Sequence, residues 1–411
     1  MRAIGAAAVA LAAIVGLGTA RADGEMRGLW VVRTSLTSPA SIDRLVADAR
    51  HGGVRALFVQ VRGRGDAYYA SAIEPRATAL SHQPSSFDPL ARLIAAAHGA
   101  GLQVHAWVNA SLVASSHDLP TDARHVIRRH PEWLMVPRQL ASQLRAVGPR
   151  DPAYVTRLAQ WTRAQSNEVE GLFVSPLHPG AATHLVDVVS DLVGRYELDG
   201  VHLDYVRYPS ADFDYSSTAL ARFRESLVED LAASERARLD SRLAENPFIY
   251  TEMFPARWAA FRRSRLTAMV MRIRTTVSQL RPRAVLSVAV VADQARALDD
   301  RFQDWPAWAQ HGIVDAICPM AYTADSALFA NLVADAVRVS GPAPVWAGIG
   351  AFRLTPPQAA ANVATARRIG SSGYVLFSYD GLAQPGTTPT SYLADMQRAM
   401  STSASPAASD R

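Results

Sequence analysis

One stretch of this chain, Asp199-Gly-Val-His-Leu-Asp-Tyr-Val-Arg-Tyr-Pro209, sets charged and aromatic side chains inside an apolar, β-branched run. Side chains alternate along a strand, so His202 and Asp204 share one face while Val201 and Leu203 share the other. An ionised carboxylate is costly to bury without a partner, and close apolar neighbours do not suit a solvated strand end. A carboxyl group held in such a place is a candidate for proton transfer.

The same pattern recurs elsewhere. Gln60 and Arg62 share a face of the run 56–62, and Asp66 follows them; His105, Trp107 and Asn109 share a face of the run 103–109. Arg207 and Tyr208 follow Asp204 directly, Asp293 trails the run 284–291, Tyr322 the run 315–320, and Ser378 and Asp380 the run 373–378. Aromatic rings stack on the apolar face of a sugar, amides and guanidinium groups address its hydroxyls, and carboxylates supply acid and base or nucleophile. The set therefore points to glycosidic cleavage. Asp204 is the expected general acid, and Asp293 its first candidate partner, ahead of Asp380, Asp66 and Glu252. The expected substrate contacts are Gln60, Arg62, Asp66, His105, Trp107, Asn109, His202, Arg207, Tyr208, Tyr322 and Asp380. A carboxyl separation near 5 Å would favour retention of configuration, and roughly 6.5 to 9.5 Å inversion.

Eight short apolar runs would carry these residues: 26–33, 56–62, 103–109, 199–209, 284–291, 315–320, 344–349 and 373–378. Helical signals lie between them. Ser41 caps a helix stopped by Gly52-Gly53, Asp88-Pro89 opens one closed by Gly99 and Gly101, and a third spans 184–196. A long helical pattern covers 255–280, and later helices begin near Asp304, Ser326, Thr355 and Thr388, the last two with proline at the first helical position. Eight alternating units with nearly continuous apolar strands mean a parallel sheet buried on both faces, and eight closes a (β/α)8 TIM barrel, an α/β fold. That fold gathers its chemistry at the carboxyl ends of the strands. An open doubly wound sheet would want a glycine-rich phosphate turn, and Gly63-Arg-Gly65 continues wrongly for one. Long excursions follow the third and fourth strands; the stretches His130-Pro-Glu-Trp133 and Gly171-Leu-Phe-Val-Ser-Pro176 read as loop and small elements over one mouth.

Composition narrows the classes. At 411 residues, 49% hydrophobic and 19% charged, the chain is of ordinary globular composition. The N-terminus has the form of a secretory signal: Met1-Arg2, an apolar stretch over 3–17, then Ala20-Arg21-Ala22. Cleavage before Asp23 is expected, leaving an exported, periplasmic or extracellular barrel over 23–400, a disordered tail over 401–411 and no transmembrane segment. No cysteine follows the apolar run to take a lipid anchor, and the single Cys318 forbids an internal disulfide and reads as a buried thiol. All 42 basic residues are arginine, which removes Schiff-base lysines and phosphate-loop lysines together. A formal charge of +5, partly from Arg2 and Arg21, is too small and scattered to argue nucleic acid. No cofactor is expected.

At these same residues the chain resembles the glycoside hydrolase-like family 10 proteins of bacterial envelopes. The resemblance rests on Arg27-Gly-Leu-Trp30, Val59-Gln-Val-Arg-Gly-Arg-Gly-Asp-Ala-Tyr68, Phe87-Asp-Pro-Leu90, His105-Ala-Trp-Val-Asn109, His130-Pro-Glu-Trp133, 199–209, Trp308 and Val314-Asp-Ala-Ile-Cys-Pro-Met-Ala-Tyr322. It implies a (β/α)8 barrel that hydrolyses an envelope polysaccharide, as some relatives cut peptidoglycan glycan strands lacking stem peptides. It also implies that Asp204 is the fourth-strand acid and that Arg62, Asp66, His105, Trp107, Asn109 and Tyr322 contact sugar. Two departures stand out: Tyr205 replaces a second acid common among relatives, and Ala292-Asp293-Gln294 is unlike the usual glycine- and proline-rich loop. Two other classes stay open. A carbohydrate-binding barrel without catalysis would show one secure acid, and a metal-assisted hydrolase or deacetylase could use His105, His202 and Asp204 as ligands. There is no Gly-x-Ser-x-Gly elbow for a serine hydrolase and no His-x-x-x-His or cysteine pair for a metal.

Overall fold

The expected apolar runs all form strands, seen in a computed structural model that describes residues 24–383 and 386–404. In chain order they are β1 (Met26–Val31), β2 (Ala56–Arg62), β3 (Gln103–Asn109), the short β4 (Leu112–Ala114) and β5 (Leu172–Phe173), β6 (Gly200–Asp204), β7 (Val285–Val290), β8 (Ala316–Ala321), β9 (Trp346–Ile349) and β10 (Gly373–Leu376). Eight of them close into a parallel barrel in the order β1-β2-β3-β6-β7-β8-β9-β10, with β10 returning to β1. β4 and β5 pair antiparallel outside it. The barrel is the (β/α)8 fold expected from the alternation, and no helix among the described residues is long and apolar enough to cross a membrane.

Helices cover the barrel's outer face because each strand's outward residues are apolar. Val59, Val104, Val201, Leu286 and Ile317 join residues such as Leu45, Leu93, Val189, Ile273, Val333 and Val363 of the surrounding helices in one core. The barrel interior is a second, smaller cluster of Trp30, Phe58, Trp107, Cys318, Trp346 and Val375. Cys318 is a fully buried free thiol there.

Local signals placed most helix starts within a few residues. The Asp88, Asp304 and Thr355 caps are as expected. The first helix instead runs Pro39–His51 and is capped by Ser38, with Ser41 completing a reciprocal capping box three residues on. The third begins at Pro179, before its expected start, and continues to Arg195. The last helix runs Pro389–Ala404, so the expected disordered tail begins as helix; the rest of that tail and the expected signal at 1–22 lie outside the described residues.

The excursions differ most from expectation. They are largely helical, including Arg138–Val147, Pro152–Ala164 and Ser217–Ser226 besides the expected Pro255–Leu280. Val113, Trp133, Leu140, Tyr154, Val174, Tyr215, Phe223, Trp258 and Phe261 from both excursions share a third apolar core. Each excursion buries apolar surface that neither could bury alone.

Candidate functional site at the carboxyl ends of the strands

The inward residues of the barrel stack in layers. Rise along a strand is about 3.3 Å per residue, so two inward neighbours on one strand sit roughly 6.6 Å apart in depth. Sharing a face is therefore not sharing a height.

His105 sits one inward step below Trp107, and His202 pairs in register with Trp107, one inward step below Asp204; both are buried. His202 is fully buried between Trp30, whose indole N–H donates to its Nε2 at 3.0 Å, and Ser287, whose hydroxyl lies 2.9 Å from Nδ1. Its ring is thereby fixed and burial pushes its pKa well down. His105 stacks on Phe58 with ring centroids 4.6 Å apart, and neither of its ring nitrogens has a protein partner. Burial lowers its pKa to about 4. Gly200 makes the room, since a Cβ there would come within 2.2 Å of His105 Nδ1. Neither histidine can take the sugar-contact role expected of it, and the candidate ligand set of His105, His202 and Asp204 is not assembled. Among the described residues no three His, Cys, Asp or Glu side chains gather to hold a metal.

The upper layer is different. Asn109 and Asp204 end their strands in register, and Gln60 pairs in register with Trp107. Arg33 donates to Gln60 Oε1 at 2.7 Å, Gln60 lies 3.4 Å from Asn109 Oδ1, and Asn109 donates to the Gly63 carbonyl at 2.7 Å. This chain of polar groups rims one side of the mouth. Asp66 stands beside it, accepting the Arg64 N–H at 2.9 Å in the turn after β2, with Arg33, Arg64 and Tyr68 close by. Tyr322 closes another side, stacked on Phe377 at 5.2 Å and edge-on to Trp30 at 6.2 Å, while Trp107 meets Phe377 edge-on at 6.3 Å.

Asp204 sits at the centre of this rim with only 7% exposure. Burial raises its pKa from 3.8 to about 6, against the opposing pull of Arg207 and of the Tyr205 N–H, which donates to Oδ1 at 2.6 Å. The Trp107 indole is near enough to draw the value down slightly, although its N–H makes no hydrogen bond. Asp204 thus keeps its proton at mildly acidic pH without leaving the reach of solvent, the state a general acid needs. The negative charge of Asp204 is felt by Tyr322 and by Cys318 below it, which places both beside the carboxyl.

Beyond Asp204 the backbone turns through Tyr205 with φ of 52°, a left-handed conformation that costs a non-glycine residue of order 1 kcal/mol. The Arg207 guanidinium lies 4.6 Å over the Tyr205 ring and donates from Nη2 to Glu170 Oε1 at 2.7 Å. Glu170 lies just before β5 in the first excursion, and its side chain is 37% exposed. Burial would raise its pKa, but Arg207 and Arg301 together hold it below the ordinary value. Glu170 stands in a loop with no periodic or spacing signal. The pointer available was Arg207 itself, since a buried guanidinium demands a carboxylate partner.

Other expected site residues are held in structural contacts of their own. The ladder between β2 and β3 slips between Gln60 and Arg62, so Arg62 pairs with outward-facing Val108. Arg62 consequently lies outside the barrel, doubly bonded to Glu74 at 2.6 and 2.8 Å and donating to the Asn109 carbonyl; His184 adds a contact to Glu74 at 3.1 Å. Tyr208 is fully buried against Phe302 in the main core. Asp293 is exposed and caps the helix Gln294–Asp299 through the Arg296 N–H at 2.8 Å. Asp380 accepts from Val32 N–H, Thr34 and Ser35 at 2.7 to 2.9 Å, tying the loops after β1 and β10. Glu252 binds Arg138 and Asn246 within the excursions. A hollow of about 670 Å³ lined by Arg129, Glu132, Arg150 and Asp151 lies in the first excursion, and none of the mouth residues borders it. Chemistry locates the site here, and size does not.

The pattern of the family described as Glycosyl hydrolase-like 10 matches residues 25–341. The chain belongs to that family. Among curated relatives, glycosyl hydrolase YngK of Bacillus subtilis is 22% identical over 338 residues, covering 74% of this chain and 56% of its own. Glycosyl hydrolase DigH of Escherichia coli K12 is 22% identical over 334 residues, covering 72% and 65%. The chain therefore spans less than two thirds of the length of these relatives. Among solved structures, the PgaB (BpsB) glycoside hydrolase domain from Bordetella bronchiseptica superposes with a TM-score of 0.60 at 15% identity, covering 92% of this chain and 97% of that one. The β-galactosidase of the psychrophilic Marinomonas ef1 gives 0.62 at 12% identity, covering 92% and 59%. These likenesses are of fold.

Proposed function

We propose that this member of the glycosyl hydrolase-like 10 family is an exported glycoside hydrolase that cleaves a cell-envelope or extracellular polysaccharide, with Asp204 as general acid. The observation that carries this reading is the placement of a buried, proton-holding Asp204 at the carboxyl end of β6, flanked by Trp107 and Tyr322. Family membership and the printed names of YngK and DigH support the chemistry. Export is supported by the sequence of the first 22 residues, and an envelope or extracellular glycan is the substrate class that export would bring within reach of an acid flanked by aromatic rings.

In this reading a sugar enters at the ends of β2, β3, β6 and β8. Trp107 and Tyr322 offer apolar faces, Gln60 and Asn109 offer amides, and Asp204 gives its proton to the glycosidic oxygen as the bond breaks. The rate as a function of pH should fall above about 6, as Asp204 loses its proton. The test is incubation of the purified chain with a panel of envelope polysaccharides, including glycan strands freed of stem peptides, with products weighed by mass spectrometry. New reducing ends from the native chain and none from Asp204→Asn are expected. Retention on a polymer with no product would make the protein a carbohydrate-binding barrel, and loss of activity on exhaustive chelation would make it a metal-assisted hydrolase or deacetylase.

A further inference from the structure

A glycosidase of this kind uses two carboxyl groups, and three of the four acids expected to partner Asp204 are committed elsewhere; the fourth, Asp66, stands in the turn after β2, where it accepts the Arg64 N–H at 2.9 Å. Asp293 caps a helix, Asp380 accepts three hydrogen bonds between two loops, and Glu252 is held by Arg138 and Asn246. Glu170 is the acid whose charge reaches Asp204. The chain between them is short: Asp204 to the Tyr205 N–H, the Tyr205 ring to Arg207, and Arg207 to Glu170.

We propose that Glu170 is the second carboxylate of the glycosidic cleavage, the ionised group facing the anomeric carbon while Asp204 delivers the proton. This rests on the glycosidase reading above and assigns to Glu170 the role first expected of Asp293. Three features of the geometry support it. Arg207 takes only Glu170 Oε1, leaving the other oxygen for substrate, and part of the side chain is open to solvent. Arg207 is nearly buried, and its Nε and Nη1 have no protein partner, so its charge is shared between Glu170 and Asp204. The arm that carries Glu170 is pinned, because Phe173 of β5 packs edge-on to Tyr205 at 5.9 Å. Tyr205 thereby becomes part of the mount for an acid brought from the excursion.

The step balances without any further reagent than water. Asp204 gives its proton to the glycosidic oxygen, the bond from that oxygen to the anomeric carbon breaks with its electron pair leaving on oxygen, and the carboxylate of Glu170 meets the developing positive charge. Water then supplies hydroxyl to the anomeric carbon, and its proton restores the acid-base pair. Opposed environments suit the division of labour, since burial keeps Asp204 protonated while Arg207 keeps Glu170 ionised.

The test uses the full chain and glycan strands freed of stem peptides as the probe, comparing Glu170→Gln, Glu170→Ala and Asp204→Asn. Loss of at least about 100-fold in kcat/KM is expected for both Glu170 variants, with unchanged circular dichroism. Sodium azide should restore turnover to Glu170→Ala and yield a glycosyl azide of inverted configuration, because the small anion enters the space left by the carboxylate. Glu170→Gln should also abolish the acidic limb of the pH profile while leaving the limb near 6. Activity of Glu170→Gln within threefold of native, with Asp204→Asn inactive, would overturn the assignment and leave the glycosidase reading standing. Loss that azide does not restore would assign Glu170 to anchoring Arg207 and overturn it equally. If the native chain frees no reducing ends from any polysaccharide, both readings fall together.

Discussion

Replacing Asp204 by asparagine tests the site without any substrate, because a buried carboxyl that resists ionisation must weaken the fold at neutral pH. In the unfolded chain the group ionises near 3.8, and in the folded protein near 6. Below about 3.8 both states hold the proton and the group contributes nothing. Between the two values the unfolded state gains by ionising first, and above about 6 the full penalty is present. The gap corresponds to roughly 3 kcal/mol. Asparagine keeps an oxygen to accept the Tyr205 N–H and removes the penalty. A domain of about 380 residues unfolds with an entropy of roughly 0.8 kcal/mol/K, so Asp204→Asn should raise Tm by about 3 to 4 °C at pH 8. At pH 4 the two proteins should melt within about 1 °C of each other. Calorimetry or thermal circular dichroism of both proteins across pH 4 to 8 measures the difference. Equal Tm at every pH, or a lower Tm for the variant at pH 8, would refute the claim that desolvation governs Asp204, and with it the case for Asp204 as a proton donor.

Other residues make separable predictions. Arg62→Ala strands the buried Glu74, whose pKa Arg62 and His184 hold down near 2, and should cost about 3 to 5 kcal/mol in urea unfolding while KM of the folded protein stays unchanged. Asp293→Ala removes an exposed helix cap and should cost about 1 kcal/mol with kcat intact; a large fall in kcat would restore Asp293 to the chemistry. Gly200→Ala drives a methyl group into His105 and the Val285 carbonyl, and should lower Tm more than any of these or prevent soluble expression.

Much of the architecture could be read from local pattern, and the reason is physical. A parallel strand buried on both faces writes itself as a continuous apolar run, and helix caps are short-range chemistry, so strands, most helix starts and the eightfold alternation were legible one segment at a time. Asp204 was legible for a related reason, since a carboxylate in such a run has to be explained by a function or a partner.

The sequence by itself determined the barrel, the end at which its polar residues collect and the acid at that end. Tertiary structure alone decided which neighbours of that acid reach a ligand. A one-residue slip in the β2 ladder moved Arg62 from the mouth to a buried ion pair, and depth along the barrel axis separated His105 from Trp107 and His202 from Asp204. Asp293 became a cap by the local geometry of its turn, whereas Glu170 came to the site from 34 residues before Asp204, through contacts of Arg207 and β5 that no periodicity records. Facing is a property of neighbouring residues, but height in the barrel and partners across it depend on how distant segments pack.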